Sequence, residues 1–159
     1  MRAYVFLIDQ LNRLLKLIMI IMFGVMLTAL FLQIVSRFIF NFPLSWSEEL
    51  ARYLTVWMVF LGAGIAVRNN KLIKLDALVS RMSHRQQLIF LYTAAAVSLV
   101  FYIVVIAKSF DLIKVVQIQK SPAMSLPMSV PYLAIPVGSF FMLLNTFAAL
   151  IDAHRKGRR

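Results

Sequence analysis

The chain has 159 residues, 62% of them hydrophobic, with a mean hydropathy of +0.84 and no cysteine. Soluble domains contain roughly 45–50% apolar residues, and here the excess lies in four long uncharged blocks, which argues against a soluble helical bundle. The net charge of +11 does not indicate nucleic-acid binding, because the cations form short clusters that flank the apolar blocks. Without cysteine, disulfides, thiol chemistry and thiolate metal sites are excluded.

The four blocks are long enough to cross a bilayer, because a helix rises about 1.5 Å per residue and the hydrocarbon layer is about 30 Å thick. We therefore expect an all-α membrane protein that forms a single integral membrane domain over residues 1–159. Transmembrane helices are predicted at approximately 15–36, 46–67, 86–108 (extending to about 119) and 130–151. The first block is too long for the apolar core of a cleaved signal peptide, so we expect it to remain as a span.

Two segments have the pattern of short interfacial amphipathic helices. Residues 1–16 place several apolar side chains on one helical face, which predicts a helix that lies along the membrane surface before the chain turns inward. Residues 71–85 mix apolar side chains with cations and predict a second such helix on the inner surface. The second span is expected to begin at Trp46, because Ser45 and Glu48 have the spacing of a capping box.

The last two spans have unusual features. Lys108, Asp111 and Lys114 are spaced three residues apart and extend the third helix to about 50 Å if it runs unbroken over residues 86–119. A helix of that length must tilt, bend or protrude from the bilayer. In the fourth span, Pro131 suits a first turn, whereas Pro136 removes a backbone hydrogen bond and predicts a kink.

The basic residues are divided unevenly between the two predicted sides of the membrane. Twelve lie before the first span, between the second and third spans and after the fourth, against five in the other two connections. This positive-inside bias predicts that both termini are cytoplasmic. We expect the basic clusters to contact anionic membrane phospholipid, and we expect no nucleic acid as a partner.

A cluster of charged and aromatic residues joins the first two spans. Glu48 and Arg52 have the i, i+4 spacing of a helical ion pair, and Arg37 faces the same membrane boundary and could reach either neighbouring carboxylate. The cluster is interpreted either as an interfacial clasp that fixes the two spans or as a recognition site for a partner chain. Its candidate residues are Arg37, Trp46, Glu48, Glu49, Arg52 and Trp57.

Small and polar residues within the spans indicate close helix packing. Gly62 and Gly64 give the second span a small face and Gly24 does so in the first, either for internal packing or for docking of a partner subunit. Asn145 is expected to join neighbouring helices by hydrogen bonds, each worth on the order of 1 kcal/mol. Because no nucleophile, metal-ligand or phosphate-loop motif occurs, we expect no catalytic residue, no metal and no cofactor.

Several motifs resemble the small membrane subunit of tripartite ATP-independent periplasmic (TRAP) transporters. They are Gln33-Ile-Val-Ser-Arg37, Pro43-Leu-Ser-Trp-Ser-Glu-Glu-Leu-Ala-Arg-Tyr53, Phe60-Leu-Gly-Ala63, Pro122-Ala-Met-Ser-Leu-Pro-Met128 and Tyr132-Leu-Ala-Ile-Pro-Val-Gly138. Together with the four-span layout, the resemblance covers nearly the whole chain. One departure is Asn69-Asn-Lys-Leu-Ile, where relatives tend to have a Gly-His pair followed by an aliphatic residue and an acid.

The resemblance implies a three-part system in the bacterial inner membrane. A periplasmic binding protein captures a carboxylate-bearing solute, and a large multi-span permease subunit moves it with a sodium gradient, with sodium bound by that subunit and not by this chain. The small subunit is implied to be a non-catalytic scaffold. Its periplasmic surface would carry Lys108, Asp111, Lys114 and Lys120. The alternatives are a stand-alone homodimeric exporter, or a membrane sensor or assembly factor unrelated to transport.

Overall fold

The computed structural model describes residues 2–69 and 83–156. Over these residues the chain forms α1 (Arg2–Ile39), α2 (Ser45–Arg68), α3 (His84–Val116), α4 (Ser129–Tyr132) and α5 (Ala134–Lys156), without a β-strand. Four stretches are long and apolar enough to span a membrane: Ala3–Ile39, Ser45–Arg68, Ile89–Val116 and Ser129–Ala153. The predicted all-α membrane fold is therefore confirmed. Most of the predicted inner-surface helix at 71–85 lies outside the described residues.

Helix α1 is a single helix of 38 residues, about 57 Å long. The expectation that residues 1–16 form a separate surface helix before the chain turns inward is therefore wrong. No proline or glycine pair interrupts the segment, and its first turns are already held inside the protein, since Ile8 and Leu15 are only 3% and 5% exposed. The amphipathic face that suggested a surface helix instead packs against other helices.

Helix α2 begins one residue before the predicted start. Ser45 is its first helical residue and forms no capping hydrogen bond, so the predicted capping box with Glu48 is wrong. Instead, the Ser47 hydroxyl donates to the Leu44 carbonyl at 2.7 Å. The turn before α2 is closed by the Ser36 hydroxyl, which donates to the Phe42 carbonyl at 2.6 Å.

Helix α3 has 33 residues, about 50 Å, and ends at Val116, shortly before the predicted residue 119. The last span is divided at Leu133 into α4 and α5, within the segment where a kink was predicted. Pro136 has no N–H to donate back to residue 132, so one helical hydrogen bond is missing here. The N–H groups of Leu133 and Val137 still donate to the carbonyls of Ser129 and Leu133.

Helices α2 and α5 are parallel and form the centre of the fold. Helix α1 packs chiefly on α2, and α3 packs on α5, so the four long helices are arranged in the order α1–α2–α5–α3. The apolar core at the junction of α1, α2 and α5 contains Leu15, Leu61 and Ile65. We call the end of the bundle that holds the beginning of α1 and the end of α5 the terminal end, and the other the loop end.

Candidate functional site

The two adjacent carboxylates at the loop end have different surroundings. Glu48 is exposed and forms an ion pair with Arg52, with 3.1 Å between Oε1 and Nη2. Glu49 is 6% exposed and points inward, where its Oε1 accepts a hydrogen bond from the Tyr53 hydroxyl at 2.7 Å. Because the helix turns by 100° between neighbouring residues, one acid faces solvent and the other faces α4 and the loop before it.

Glu49 holds the loop between α3 and α4, residues 117–128. Its Oε2 accepts hydrogen bonds from the backbone N–H groups of Met124 at 2.8 Å and Ala123 at 3.2 Å. The loop also bonds to itself, since the N–H of Ser121 donates to the Leu126 carbonyl at 2.8 Å. Glu49 therefore joins α2 to the loop that precedes α4, and not the first two spans to each other as the clasp interpretation proposed.

Arg37 does not join this clasp. Among the described residues it forms no ion pair with Glu48 or Glu49, so the expected contact is wrong. The reason is that Glu48 is bonded to Arg52 and Glu49 faces the loop. Arg37 and Glu48 both line an open cavity of about 600 Å³ at the turn between α1 and α2, together with Gln33 and Asn41.

The two tryptophans of the cluster also separate. The Trp57 indole N–H donates to the Val130 carbonyl at 3.2 Å and its ring packs on the apolar core, so this residue joins α2 to α4. Trp46 is 40% exposed at the start of α2, in keeping with a ring at the headgroup level, where tryptophan is enriched.

The charged extension of α3 lies on the outside of the fold. Lys108 and Asp111 approach each other at 3.7 Å between Nζ and Oδ2, and both side chains are exposed. Lys114 is exposed in the last turn of α3, and Lys120 lies in the following loop, opposite Pro127 in an isolated backbone bridge. A surface pair of this kind contributes little to stability, so these side chains remain free to meet a partner or lipid headgroups.

Of the glycines selected from the sequence, two lie at helix contacts and one does not. A Cβ built at Gly64 would lie 3.2 Å from Phe141 Cβ, and one at Gly62 would lie 3.1 Å from Met19 Cε. The prediction that Gly24 serves internal packing is wrong, because nothing in the described chain comes within 4 Å of a Cβ built there.

The closest helix contact at any glycine of the described residues was not predicted from the sequence. It is at Gly138, where a Cβ would lie 2.5 Å from the Cβ of Phe60 and 2.8 Å from that residue's backbone. Helices α2 and α5 can approach this closely only because residue 138 has no side chain. Gly138 was noted only as part of a family motif, and its position two residues after Pro136 gave no indication of which helix it would face.

Asn145 forms a buried pair with an asparagine of α1. Its Oδ1 accepts a hydrogen bond from Asn12 Nδ2 at 2.6 Å, and its Nδ2 donates to Asn12 Oδ1 at 3.2 Å. Asn12 also donates to the Ile8 carbonyl of its own helix at 2.8 Å. This pair joins α1 to α5 inside the fold, where the two side chains are 5% and 1% exposed.

An ionic cluster at the terminal end was also missed. Arg68, with a side chain 15% exposed, places Nε 2.8 Å from Asp9 Oδ1 and Nη1 2.8 Å from Asp152 Oδ2. One guanidinium thus joins α1, α2 and α5. The sequence did contain a signal, since a cation ends the second apolar block while single acids occur near the start of the first helix and directly after the fourth block.

The depth of the bundle contains no charged side chains. No Asp, Glu, Lys, Arg or His occurs in residues 17–36, 53–67, 89–107 or 134–151. In the described part of the chain, every buried side-chain nitrogen and oxygen has a hydrogen-bond partner. The fold and its clasps therefore define a multi-pass helical membrane protein whose polar groups hold its own helices together.

Comparison with known proteins identifies the family. The profile described as "Tripartite ATP-independent periplasmic transporters, DctQ component" matches residues 26–156. The chain belongs to this family of small TRAP permease subunits, which are transporter components and not enzymes.

Curated relatives agree with this assignment. A putative TRAP transporter small permease protein of Haemophilus influenzae is 28% identical over 141 residues, which cover 89% of this chain and 88% of the relative. The C4-dicarboxylate TRAP transporter small permease protein DctQ of Rhodobacter capsulatus is 33% identical over 116 residues, 72% of this chain and 51% of the relative. The isethionate TRAP transporter permease protein DctMQ of Oleidesulfovibrio alaskensis is 35% identical over 102 residues, 63% of this chain but only 16% of that longer protein.

Proposed function

We propose that this chain is a non-catalytic scaffold for a large multi-span permease subunit. The observation that carries the proposal is the contrast between its inner and outer helices. In the most apolar stretches of α1 and α3, only 6% and 11% of residues are buried within the chain, against 33% in α2 and 39% in the α4–α5 span. The central pair is fixed internally, and the outer pair offers broad apolar faces to lipid or to another subunit.

The lack of charged side chains within the membrane-spanning stretches supports a scaffold and not a transporter that acts alone. Transport of an ion or a charged solute usually requires ionisable or coordinating groups near the midplane of the bilayer. Asn12 and Asn145 bond to each other, and the charged groups lie toward the two ends of the bundle. We therefore assign sodium binding and solute movement to the large subunit. The match to a small part of the longer DctMQ permease supports this arrangement, because there a segment like this chain is joined to more permease sequence.

The remaining parts of the proposal follow from family membership and charge. The complex takes up a carboxylate-bearing solute that a periplasmic binding protein delivers, and it uses a sodium gradient. It lies in the bacterial inner membrane, and the uneven distribution of basic residues supports cytoplasmic termini. The loop end, with the Glu49 clasp and residues 108–120, then faces the periplasm and the binding protein.

Deletion tests the scaffold role. Cells that lack this chain but retain the large subunit and the binding protein should lose solute uptake, while the binding protein still captures solute. The purified chain alone in sealed vesicles should accumulate no solute under an imposed sodium gradient. Normal uptake by the large subunit without this chain, or accumulation by this chain alone, would contradict the proposal.

A further inference from the structure

A groove on the outer surface of the α1–α2 pair is left open by the chain's own side chains. Its volume is about 580 Å³, and its lining is almost entirely apolar. Ile20 and Phe23 of α1 form one wall and Met58 and Ala66 of α2 the other, while Lys16 and Asn69 lie at the terminal end of the groove. The groove therefore has an apolar depth and a polar mouth.

The dimensions of the groove match one leaflet of a bilayer. Along α1 it runs from Lys16 to Phe23, about 10 Å, and along α2 from Met58 to Asn69, about 16 Å. Half of the hydrocarbon layer is about 15 Å thick. A helix from a partner subunit would cross both leaflets and would require contact along the whole of α1, whereas an acyl chain ends near the midplane, as this groove does.

The charge at the mouth indicates which lipid fits. Lys16 is exposed and forms no ion pair with another described residue, and the groove has no acidic residue in its lining. Asp9, one of the acids at this end, is bonded to Arg68. Basic pockets between transmembrane helices bind anionic lipid headgroups. The ammonium group of Lys16 and the amide of Asn69 can therefore both donate hydrogen bonds to a phosphate oxygen.

We propose that this groove is a binding site for one anionic phospholipid, with an acyl chain between α1 and α2 and the phosphate at Lys16 and Asn69. The site depends on the membrane placement of the chain but not on docking of the large subunit. It can therefore be tested on the full chain alone, and its failure would leave the scaffold role untouched.

The test reconstitutes the full chain in vesicles of phosphatidylcholine and phosphatidylglycerol, extracts it in mild detergent, and counts retained lipids by native mass spectrometry. The wild-type chain should retain one phosphatidylglycerol. In Lys16→Gln that retention should fall about fivefold, the effect of one cation near an anionic lipid. Lys16→Arg should restore it, which separates loss of charge from misfolding. The matched control is Arg13→Gln, because Arg13 is an exposed cation one turn earlier that does not line the groove.

A second variant tests the apolar part of the site. Ala66→Leu places three additional carbons against the groove and should reduce the retention of phosphatidylcholine and phosphatidylglycerol alike. The control Ala96→Leu, at an exposed position on α3, should leave the retention of both lipids unchanged. Equal losses in Lys16→Gln and Arg13→Gln, or no retained phosphatidylglycerol in the wild type, would overturn the proposal. The proposal would also be overturned if the assembled complex lost the lipid and Ile20→Cys formed a cross-link to the large subunit. A partner helix would then fill the groove.

Discussion

The approach of α2 to α5 at Gly138 yields the sharpest prediction, because the effect of one added methyl group can be worked out from the structure. In Gly138→Ala the new carbon would lie 2.5 Å from Phe60 Cβ and 2.8 Å from the Phe60 carbonyl carbon and oxygen. Nonbonded carbon atoms are most stable at about 3.5–4.0 Å, so the two helices must separate locally by about 1 Å. Backbone atoms cannot swing aside as the end of a flexible side chain can.

The magnitude follows from two opposing effects. Overpacking of this kind costs about 1–3 kcal/mol, and the rigid neighbours here favour the upper end of that range. Replacing glycine by alanine within a helix stabilises the helix by about 1 kcal/mol. We therefore expect Gly138→Ala to lower the free energy of unfolding by about 2 kcal/mol.

The chain offers a matched control for this substitution. Gly24 is also within a helix, but nothing lies within 4 Å of a Cβ built there, so Gly24→Ala should be neutral or stabilising by up to about 1 kcal/mol. Gly62→Ala should fall near the control, because its close neighbour is the flexible end of Met19, and Gly64→Ala should fall between the extremes.

The assay is reversible unfolding of the full chain in mixed detergent micelles, followed by circular dichroism. From the most to the least stable variant, the order should be Gly24→Ala, Gly62→Ala, Gly64→Ala and then Gly138→Ala. If Gly138→Ala were as stable as Gly24→Ala, α2 and α5 could not approach each other as closely as the structure shows.

Three further sets of substitutions test the polar contacts between the helices. Arg68→Gln leaves Asp9 and Asp152 without their shared cation and should lower the free energy of unfolding by about 2 kcal/mol. An unchanged free energy of unfolding would contradict the contact of Arg68 with both acids. Asn12→Leu and Asn145→Leu should each be destabilising, while the double variant should lose less than the sum of the two, with a coupling of about 1 kcal/mol in a double-mutant cycle. Strict additivity would mean that the pair does not form. Glu49→Gln should release residues 117–128, so that a cysteine introduced in that loop reacts faster with a water-soluble maleimide, whereas Glu48→Gln should leave the rate unchanged. Equal rates in both variants would refute the clasp.

Helix number and type could be predicted from the sequence, because the length of an uncharged apolar block and the thickness of a bilayer together leave little choice. The interruption of the last span before Pro136 could also be predicted, since a missing N–H removes a hydrogen bond in any helix. The predicted positions of the helix ends were less accurate. The continuation of α1 through Lys16 was missed because an amphipathic face looks the same whether it lies on lipid headgroups or on another helix.

The partners of polar residues could not be predicted from spacing alone. Spacing within one helix correctly paired Glu48 with Arg52, because i, i+4 neighbours share a face. The contacts of Glu49 with residues 123 and 124, and of Arg68 with Asp9, join segments more than fifty residues apart along the chain. These contacts depend on which helices are neighbours, and the order α1–α2–α5–α3 is not encoded in any local pattern.

The positions of these polar contacts suit the scaffold role that we propose for this chain. Glu49 fixes α2 to the loop before α4 at one end, and Arg68 fixes it to α1 and α5 at the other. Between them, the close approach at Gly138 leaves α2 and α5 little freedom to slide. The outer faces of α1 and α3 take no part in these contacts, so a subunit could dock there without disturbing the centre. Substitutions on those faces should therefore change association with the large subunit and leave the unfolding free energy of this chain nearly constant.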